Sequence, residues 1–126
     1  METKEQVLKL CEVLYDKKAL DIVAIHVADK TIIAEWFLIC SGRVVPQVKA
    51  LSDEVEAKAN SLGLERRRIE GYGEGRWIVL DFANILVHIF IPDERQYYNM
   101  ERLWIDDPTQ AILYSKMMEE KEQSQR

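Results

Sequence analysis

Asp81 and His88 are the residues of this sequence best placed to do acid-base chemistry together. They lie in two apolar segments, 77–82 and 85–90, and the dipeptide Ala83-Asn84 between these segments is typical of a tight β-hairpin turn. In that hairpin the two side chains are diagonal neighbours on one sheet face. An acid beside a histidine supplies two members of a nucleophilic triad, but the sequence holds no Gly-x-Ser-x-Gly motif to supply the third. We therefore expect no enzyme activity here.

The hairpin register divides the side chains of these two strands between two faces. One face is apolar and is expected to pack on helices, where each buried side chain contributes about 1.5–3 kcal/mol; it comprises Ile78, Leu80, Phe82, Ile85, Val87 and Ile89. The other, here called the aromatic face, comprises Trp77, Val79, Asp81, Leu86, His88 and Phe90. Aromatic anchors with an embedded carboxylate predict a surface that binds a basic protein partner. The alternative is a structural face, covered by a helix, in which His88 bonds to Asp81.

Three other motifs favour structural roles. The glycine-rich segment 71–75 is followed by a strand rather than by the helix that a phosphate-binding loop requires, which predicts a hairpin connection. The side chains of the basic run 66–68 alternate between the two faces of a strand, so they do not form one basic patch. Such charges on an edge strand discourage pairing with another sheet. A minor contact with RNA phosphates stays open. Tyr97, Tyr98 and Trp104 have helical spacing, which favours packing over base stacking.

Composition excludes several classes of protein. The 126 residues include 17 Lys plus Arg and 22 Asp plus Glu, and the formal net charge of -5 argues against a DNA-coating protein. Only two Cys and two His are present, so we expect neither a structural metal nor a cofactor. The segment 77–91 contains three polar residues and is too short to span a membrane. The charged first six residues do not resemble a secretory signal, so we expect a cytoplasmic protein.

Periodicity predicts a single α+β domain with a mixed five-stranded sheet. The expected order is α-β-β-α-β-β-β-α plus a C-terminal helix, with helices at about 4–17 and 44–62 and strands at about 20–27, 35–40, 67–72, 76–82 and 85–91. Gly63 is the expected helix C-cap. We expect a capping box at Thr3 and Gln6 and another at Asp107 and Gln110, and Asp93 is the expected N-cap of a short third helix. The polar residues 119–126 are expected to fray.

Several ordered blocks of the sequence resemble the ribosomal silencing factor family, also called the Iojap or RsfS family. They are Ala19-Leu20-Asp21-Ile22, Phe37-Leu38-Ile39-Cys40-Ser41-Gly42, Gln47-Val48-Lys49-Ala50-Leu51, Glu70-Gly71, Trp77-Ile78-Val79-Leu80-Asp81, Val87-His88-Ile89-Phe90, Glu94-Arg95-Gln96-Tyr97-Tyr98 and Glu101-Arg102-Leu103-Trp104. The resemblance implies a nucleotidyltransferase-like fold without transferase chemistry. It divides the chain into a family domain, 1–106, and a C-terminal helix with a polar tail, 107–126.

The resemblance also implies a function. Family members bind the large ribosomal subunit through ribosomal protein L-fourteen, block its association with the small subunit, and so repress translation when nutrients are scarce. Organellar relatives assist large-subunit assembly. The implied partner-binding residues are Trp77, Val79, Asp81, His88, Phe90, Tyr72 and Glu74, with Tyr98 and Trp104 as weaker candidates.

Three alternatives stay open at this point. A nucleotidyltransferase-like enzyme would hold Mg²⁺ through Asp21, Asp29 or Asp81. A large-subunit assembly factor or an RNA-binding accessory protein would also fit a ribosomal role, and the free protein could bury its aromatic face in a homodimer. One departure from the family concerns the hairpin turn, where Ala83-Asn84 replaces the usual Gly-Asp; we expect Asn84, rather than Ala83, to adopt any positive φ.

Overall fold

The computed structural model describes residues 1–125 and shows an α+β domain. The elements in chain order are α1 (Thr3–Asp16), β1 (Leu20–His26), β2 (Trp36–Ser41), α2 (Val45–Ser61), β3 (Arg68–Glu70), β4 (Trp77–Asp81), β5 (Ile85–Phe90), α3 (Pro92–Tyr98), α4 (Met100–Trp104), a 3₁₀ turn (Pro108–Gln110), β6 (Ala111–Leu113) and α5 (Tyr114–Ser124). Within these residues the strands form one mixed sheet in the order β3-β4-β5-β2-β1-β6, in which only β2 and β5 pair in parallel. The α+β class is confirmed.

The sheet has six strands, so the predicted count of five is wrong. The capping box of Asp107 and Gln110 is present, but it begins a 3₁₀ turn instead of the predicted helix. Residues 111–113 then pair antiparallel with β1, and helix α5 starts only at Tyr114. The outer edge of β1 would otherwise present unpaired N–H and C=O groups, and pairing these groups outweighs the helix that the preceding capping signal predicted for residues 111–113.

Helices α1 and α2 cover one side of the sheet and bury the apolar face predicted for β4 and β5. All six of its side chains are at most 3% exposed, namely Ile78, Leu80, Phe82, Ile85, Val87 and Ile89. They pack with the buried stripes of α1 and α2 in one apolar cluster. This part of the prediction is confirmed, and it leaves the aromatic face on the opposite side of the sheet.

The helix ends agree with the sequence at one position and differ at others. Gly63 follows α2 with φ +78°, and the N–H groups of Gly63 and Leu64 donate to the carbonyls of Asn60 and Ala59, as in a Schellman motif. The predicted caps at Thr3 and Asp93 are wrong, because α1 begins at Thr3 itself and α3 begins at Pro92, each without a side-chain cap. Proline is pre-organised for the first helical position, so it displaces the cap to Ile91.

The C-terminal tail is helical where fraying was expected. Helix α5 continues to Ser124, and the Tyr15 hydroxyl of α1 donates to Glu122 Oε1 at 2.9 Å. The Tyr15 and Tyr114 rings meet edge to face at 6.1 Å. These contacts to α1 stabilise the last helix. Arg126, the end of the predicted tail, lies outside the described residues.

The basic run and the glycine-rich segment both have structural surroundings. Arg66 pairs with Glu56 of α2 at 2.8 Å, whereas Arg68 lies on β3, which is an edge strand, so the run is divided as expected. The glycine-rich segment connects β3 to β4, and a Cβ atom at Gly71 would lie 2.0 Å from the Trp77 carbonyl oxygen. A close approach of two backbones explains the glycine at this position.

The turn between β4 and β5 stores backbone strain at Ala83. Its φ is +72°, and the Asn84 N–H donates to the Phe82 carbonyl at 3.0 Å, which closes a three-residue γ-turn. The expectation that Asn84 would carry the positive φ is therefore wrong. Asp81 Oδ1 accepts the N–H of Ala83 at 2.8 Å and thereby helps to fix this conformation.

We expect Ala83→Gly to raise the free energy of unfolding by about 0.5–1 kcal/mol, because glycine adopts positive φ without the steric cost that alanine incurs. Ala57→Gly is the matched control. The same change in the exposed interior of α2 should lower the free energy of unfolding by about 1 kcal/mol. Urea denaturation measures both. Equal losses in the two variants would contradict the assignment of strain to Ala83.

Candidate functional site

The predicted hairpin register is confirmed, and with it the composition of the aromatic face. Trp77 pairs with Phe90, Val79 with His88, and Asp81 with Leu86. Alternation along the strands turns these side chains away from α1 and α2. The face belongs to a second apolar region of the protein, in which Phe90 is buried and Trp77 and Leu86 are partly buried.

Helices α3 and α4 cross part of the aromatic face and are here called the cap, residues 92–104. The Tyr98 ring lies 4.7 Å from the Trp77 ring, and the Trp104 ring lies edge-on to Phe37 at 4.9 Å. Neither helix contributes a fully buried side chain. The cap therefore covers one part of the face and leaves Val79 and other residues partly open to solvent.

Trp77 is the centre of a cluster of rings on the aromatic face, in which it contacts His88, Phe90 and Tyr98. Its ring stacks on Phe90 at 4.9 Å with an interplanar angle of 22°. Its Nε1–H donates to Nδ1 of His88 at 3.1 Å. These contacts hold a half-exposed indole in one orientation, and a rigid aromatic side chain can contribute to binding with little loss of conformational entropy.

The hydrogen bond between His88 and Asp81 that the structural alternative required is not formed. Each side chain is engaged elsewhere, because His88 accepts from Trp77 and Asp81 accepts from the backbone of Ala83. Burial lowers the pKa of His88 to about 4, so the imidazole is neutral at pH 7. Its Nε2 is buried without a hydrogen-bond partner. The geometry gives no acid-base pair.

The nine predicted site residues lie at different depths. Phe90 is 1% exposed and His88 is 6% exposed, so both lie beneath the surface and support it from within. The half-exposed residues are Trp77, Val79, Asp81 and Trp104, and the exposed ones are Tyr72, Glu74 and Tyr98. Trp77 and Tyr98 are brought into contact.

Tyr72 is directed to the helix side of the sheet edge and does not join the aromatic cluster. Its hydroxyl donates to Asp53 Oδ1 of α2 at 3.1 Å. Lys49, also on α2, donates to the Gly73 carbonyl at 2.9 Å and lies 5.6 Å from the centre of the Tyr72 ring. The loop that carries Tyr72 and Glu74 is thus attached to α2.

Four exposed apolar side chains lie on the cap and on the loop between β1 and β2; the packing expected for Tyr97 is wrong, and Ile32, Ile33 and Leu103 were not singled out from the sequence. Their exposed fractions are 105% for Ile32, 66% for Ile33, 82% for Tyr97 and 71% for Leu103. Lys30 attaches this loop to the end of α4, since its Nζ lies 2.7 Å from the Trp104 carbonyl oxygen. The pair Ile32-Ile33 directly after a polar turn was the available signal.

The acids considered for Mg²⁺ do not form a cluster in the described residues. Among residues 1–125, no group of three or more His, Cys, Asp and Glu side chains is arranged to hold a metal ion. The three acids considered for Mg²⁺ lie apart in the fold, with Asp21 in β1, Asp29 in the following loop and Asp81 in β4. No helix in the described part of the chain has both the length and the apolar character needed to cross a bilayer.

Comparison with known proteins gives a consistent set of relatives. The family model described as "Ribosomal silencing factor during starvation" matches residues 1–126. The chain is 45% identical over 94 residues to ribosomal silencing factor RsfS of Halalkalibacterium halodurans, covering 75% of this chain and 80% of that protein. A crystal structure of a Chromobacterium violaceum protein matches with a TM-score of 0.80 and 32% identity, covering 82% of this chain and 87% of the other. A mouse protein named "Mitochondrial assembly of ribosomal large subunit protein 1" is 26% identical over 98 residues, covering 75% of this chain and 43% of that protein.

Proposed function

The chain belongs to the ribosomal silencing factor family, and from that membership we propose that it binds ribosomal protein L-fourteen on the large ribosomal subunit and prevents the small subunit from joining. The observation that carries the proposal is the half-exposed Trp77, held between Phe90 and Tyr98 on the side of the sheet away from α1 and α2. A fixed aromatic anchor of this kind is typical of a binding hot spot.

Charge supports a basic partner for this surface. The half-exposed carboxylate of Asp81 lies on the same face as Trp77, and the whole chain has a net charge of -5. A carboxylate beside an aromatic anchor favours a partner surface that carries Lys or Arg, such as a ribosomal protein offers. The carboxylate contributes specificity and association rate, while the rings contribute most of the affinity.

The proposed mechanism requires binding and volume, and it requires no chemistry. An interface of standard size buries about 800 Å² on each partner. A domain bound at the subunit-facing surface of the large subunit then occupies space that the small subunit needs. Translation initiation falls because fewer complete ribosomes assemble, and this repression is of use when nutrients are limited.

Gradient sedimentation of purified subunits tests the proposal. With Mg²⁺ at a concentration that favours association, a molar excess of the protein should shift joined ribosomes into separate subunits, and the protein should travel with the large one. The comparison sample contains the same subunits without the protein. An unchanged fraction of joined ribosomes would contradict the proposed blocking function.

A large-subunit assembly factor is the second candidate, favoured by the name of the mouse relative. It would use the same surface on immature particles, so it predicts association with precursors in preference to finished subunits. A nucleotidyltransferase-like reaction has no supporting observation in the described residues. The cytoplasmic location and the homodimer of the free protein stay predictions.

A further inference from the structure

Arg95 of α3 connects the cap to the ends of two central strands. Its side chain is only 11% exposed. The guanidinium donates to Ser41 Oγ at 3.0 Å and to the carbonyl oxygens of Leu20 at 3.4 Å and Asp21 at 2.7 Å. Its Nε donates to Glu101 Oε1 of α4 at 3.1 Å. One side chain thus joins β1, β2, α3 and α4.

The β1 backbone that accepts the hydrogen bonds from Arg95 has an unusual conformation. The pairing of β1 with β2 shifts between Leu20 and Val23, and Asp21 has φ +48° within this bulge. The N–H of Ile22 leaves the strand ladder and donates to Ser115 Oγ of α5 at 2.8 Å. A strained non-glycine residue in a bulge persists only where surrounding contacts fix it. Here those contacts are the guanidinium and the serine hydroxyl.

The other anchors of the cap are ring contacts and polar contacts with neighbouring segments. Tyr98 and Trp104 contact rings of the sheet, Glu94 accepts from Arg76 Nε at 3.1 Å, and Lys30 donates to the Trp104 carbonyl. Arg95 differs from them because it reaches two strands and the other cap helix at once.

The cap helices are seven and five residues long and contain no fully buried side chain. They are separated by Asn99, which has φ +46° and interrupts the helical hydrogen bonds. Helices of this length are not stable alone, so their placement depends on tertiary anchors. The bond from Arg95 to Glu101 crosses the interruption and joins the two helices.

We infer that Arg95 is a positioning residue for the aromatic face: by tying the cap to the β1 bulge it holds the Tyr98 ring against Trp77, and so fixes the surface that the partner contacts. The inference rests on the proposed function of that face. It assigns Arg95 no contact with the partner, since its guanidinium faces β1, β2 and α4. Loss of the side chain should therefore weaken binding by disordering the cap.

The test compares Arg95→Gln with Arg102→Gln, which removes the same charge from an exposed position on the same cap. We expect Arg95→Gln to weaken co-sedimentation with large subunits roughly tenfold or more. Hydrogen exchange of the amides of residues 92–104 should also become roughly tenfold faster, while exchange in β2 and β5 stays slow. Arg102→Gln should change neither measurement. Arg95→Lys should recover only part of the loss, because a lysine cannot reproduce the planar fork of donors.

The outcomes of these measurements either support or overturn the positioning role of Arg95. Wild-type exchange in the cap of Arg95→Gln, or wild-type binding by that variant, would overturn the inference. If the wild-type protein itself does not sediment with large subunits, the proposed function fails, and cap exchange alone then decides whether Arg95 positions the face. Should Arg95→Gln not fold, Ser41→Ala replaces it. That variant removes one acceptor and should accelerate cap exchange to a smaller extent; unchanged cap exchange would overturn the inference.

Discussion

The variant Trp77→Ala/Asp81→Lys is expected to lose detectable co-sedimentation with large ribosomal subunits. Truncating an aromatic hot spot costs about 2 kcal/mol or more of binding free energy, and placing a cation opposite a basic partner costs several kcal/mol more. Together they should lower the affinity by roughly a thousandfold or more. Quantifying the protein in the large-subunit fraction of a gradient measures the loss.

The same variant also affects stability, because the Trp77 ring packs against Phe90 and Tyr98 as well as forming part of the surface of the aromatic face. Removing the ring takes away its stacking on Phe90 and leaves Nδ1 of His88 without its donor. We expect the free energy of unfolding to fall by about 2–3 kcal/mol, less than for a fully buried tryptophan. Circular dichroism and thermal denaturation must therefore show that the tested sample is folded.

Two single variants separate charge from packing. Asp81→Asn retains an oxygen that can accept the Ala83 N–H, so it removes the charge without undoing the turn and should weaken binding moderately. Asp16→Lys makes the same charge change as Asp81→Lys on an exposed position of α1, away from the aromatic face, and should leave binding unchanged. Wild-type sedimentation by the folded double variant would show that the partner contacts another surface.

Local periodicity was sufficient to predict most of this fold from the sequence. The long helices and the strands of the β4-β5 hairpin have one clear repeat each, and their predicted bounds agree with the structure to within two residues. Strand β6 was missed because its three residues carry no repeat of their own. They form a strand because β1 has a free edge beside them, and a sequence does not display which edge lies nearby.

For the aromatic face too, the sequence predicted the features that follow from local alternation and not those that depend on contacts between distant residues. Alternation in two strands placed Trp77, Asp81 and His88 on one side correctly. From the register alone, Trp77 and Asp81 are equivalent diagonal neighbours of His88. Which of the two bonds to His88 depends on the γ-turn. In this turn the Ala83 N–H donates to Asp81, so the Trp77 indole is the residue that donates to His88. Likewise, nothing in the spacing of Arg95 indicates a bulge in β1, since that contact spans 74 positions.

Lowering the pH from 6.5 to 4 is expected to reduce the free energy of unfolding by up to about 3 kcal/mol through His88 alone. Burial holds the pKa of His88 at about 4 in the fold, whereas an unfolded chain restores a value of about 6.5. Between these values the unfolded chain binds a proton that the folded protein does not, so stability falls as the pH falls. A tenfold difference in proton affinity corresponds to about 1.4 kcal/mol, which gives the expected total.

Urea denaturation of wild-type protein and His88→Gln across this pH range isolates the effect. Carboxylates titrate in the same range in both proteins, so the difference between the two curves belongs to the histidine. The curve of His88→Gln should be flatter than that of the wild type. If His88→Gln keeps the full slope, burial does not lower the pKa of His88, and the imidazole beneath Trp77 then becomes charged in the folded protein as the pH falls below about 6.5.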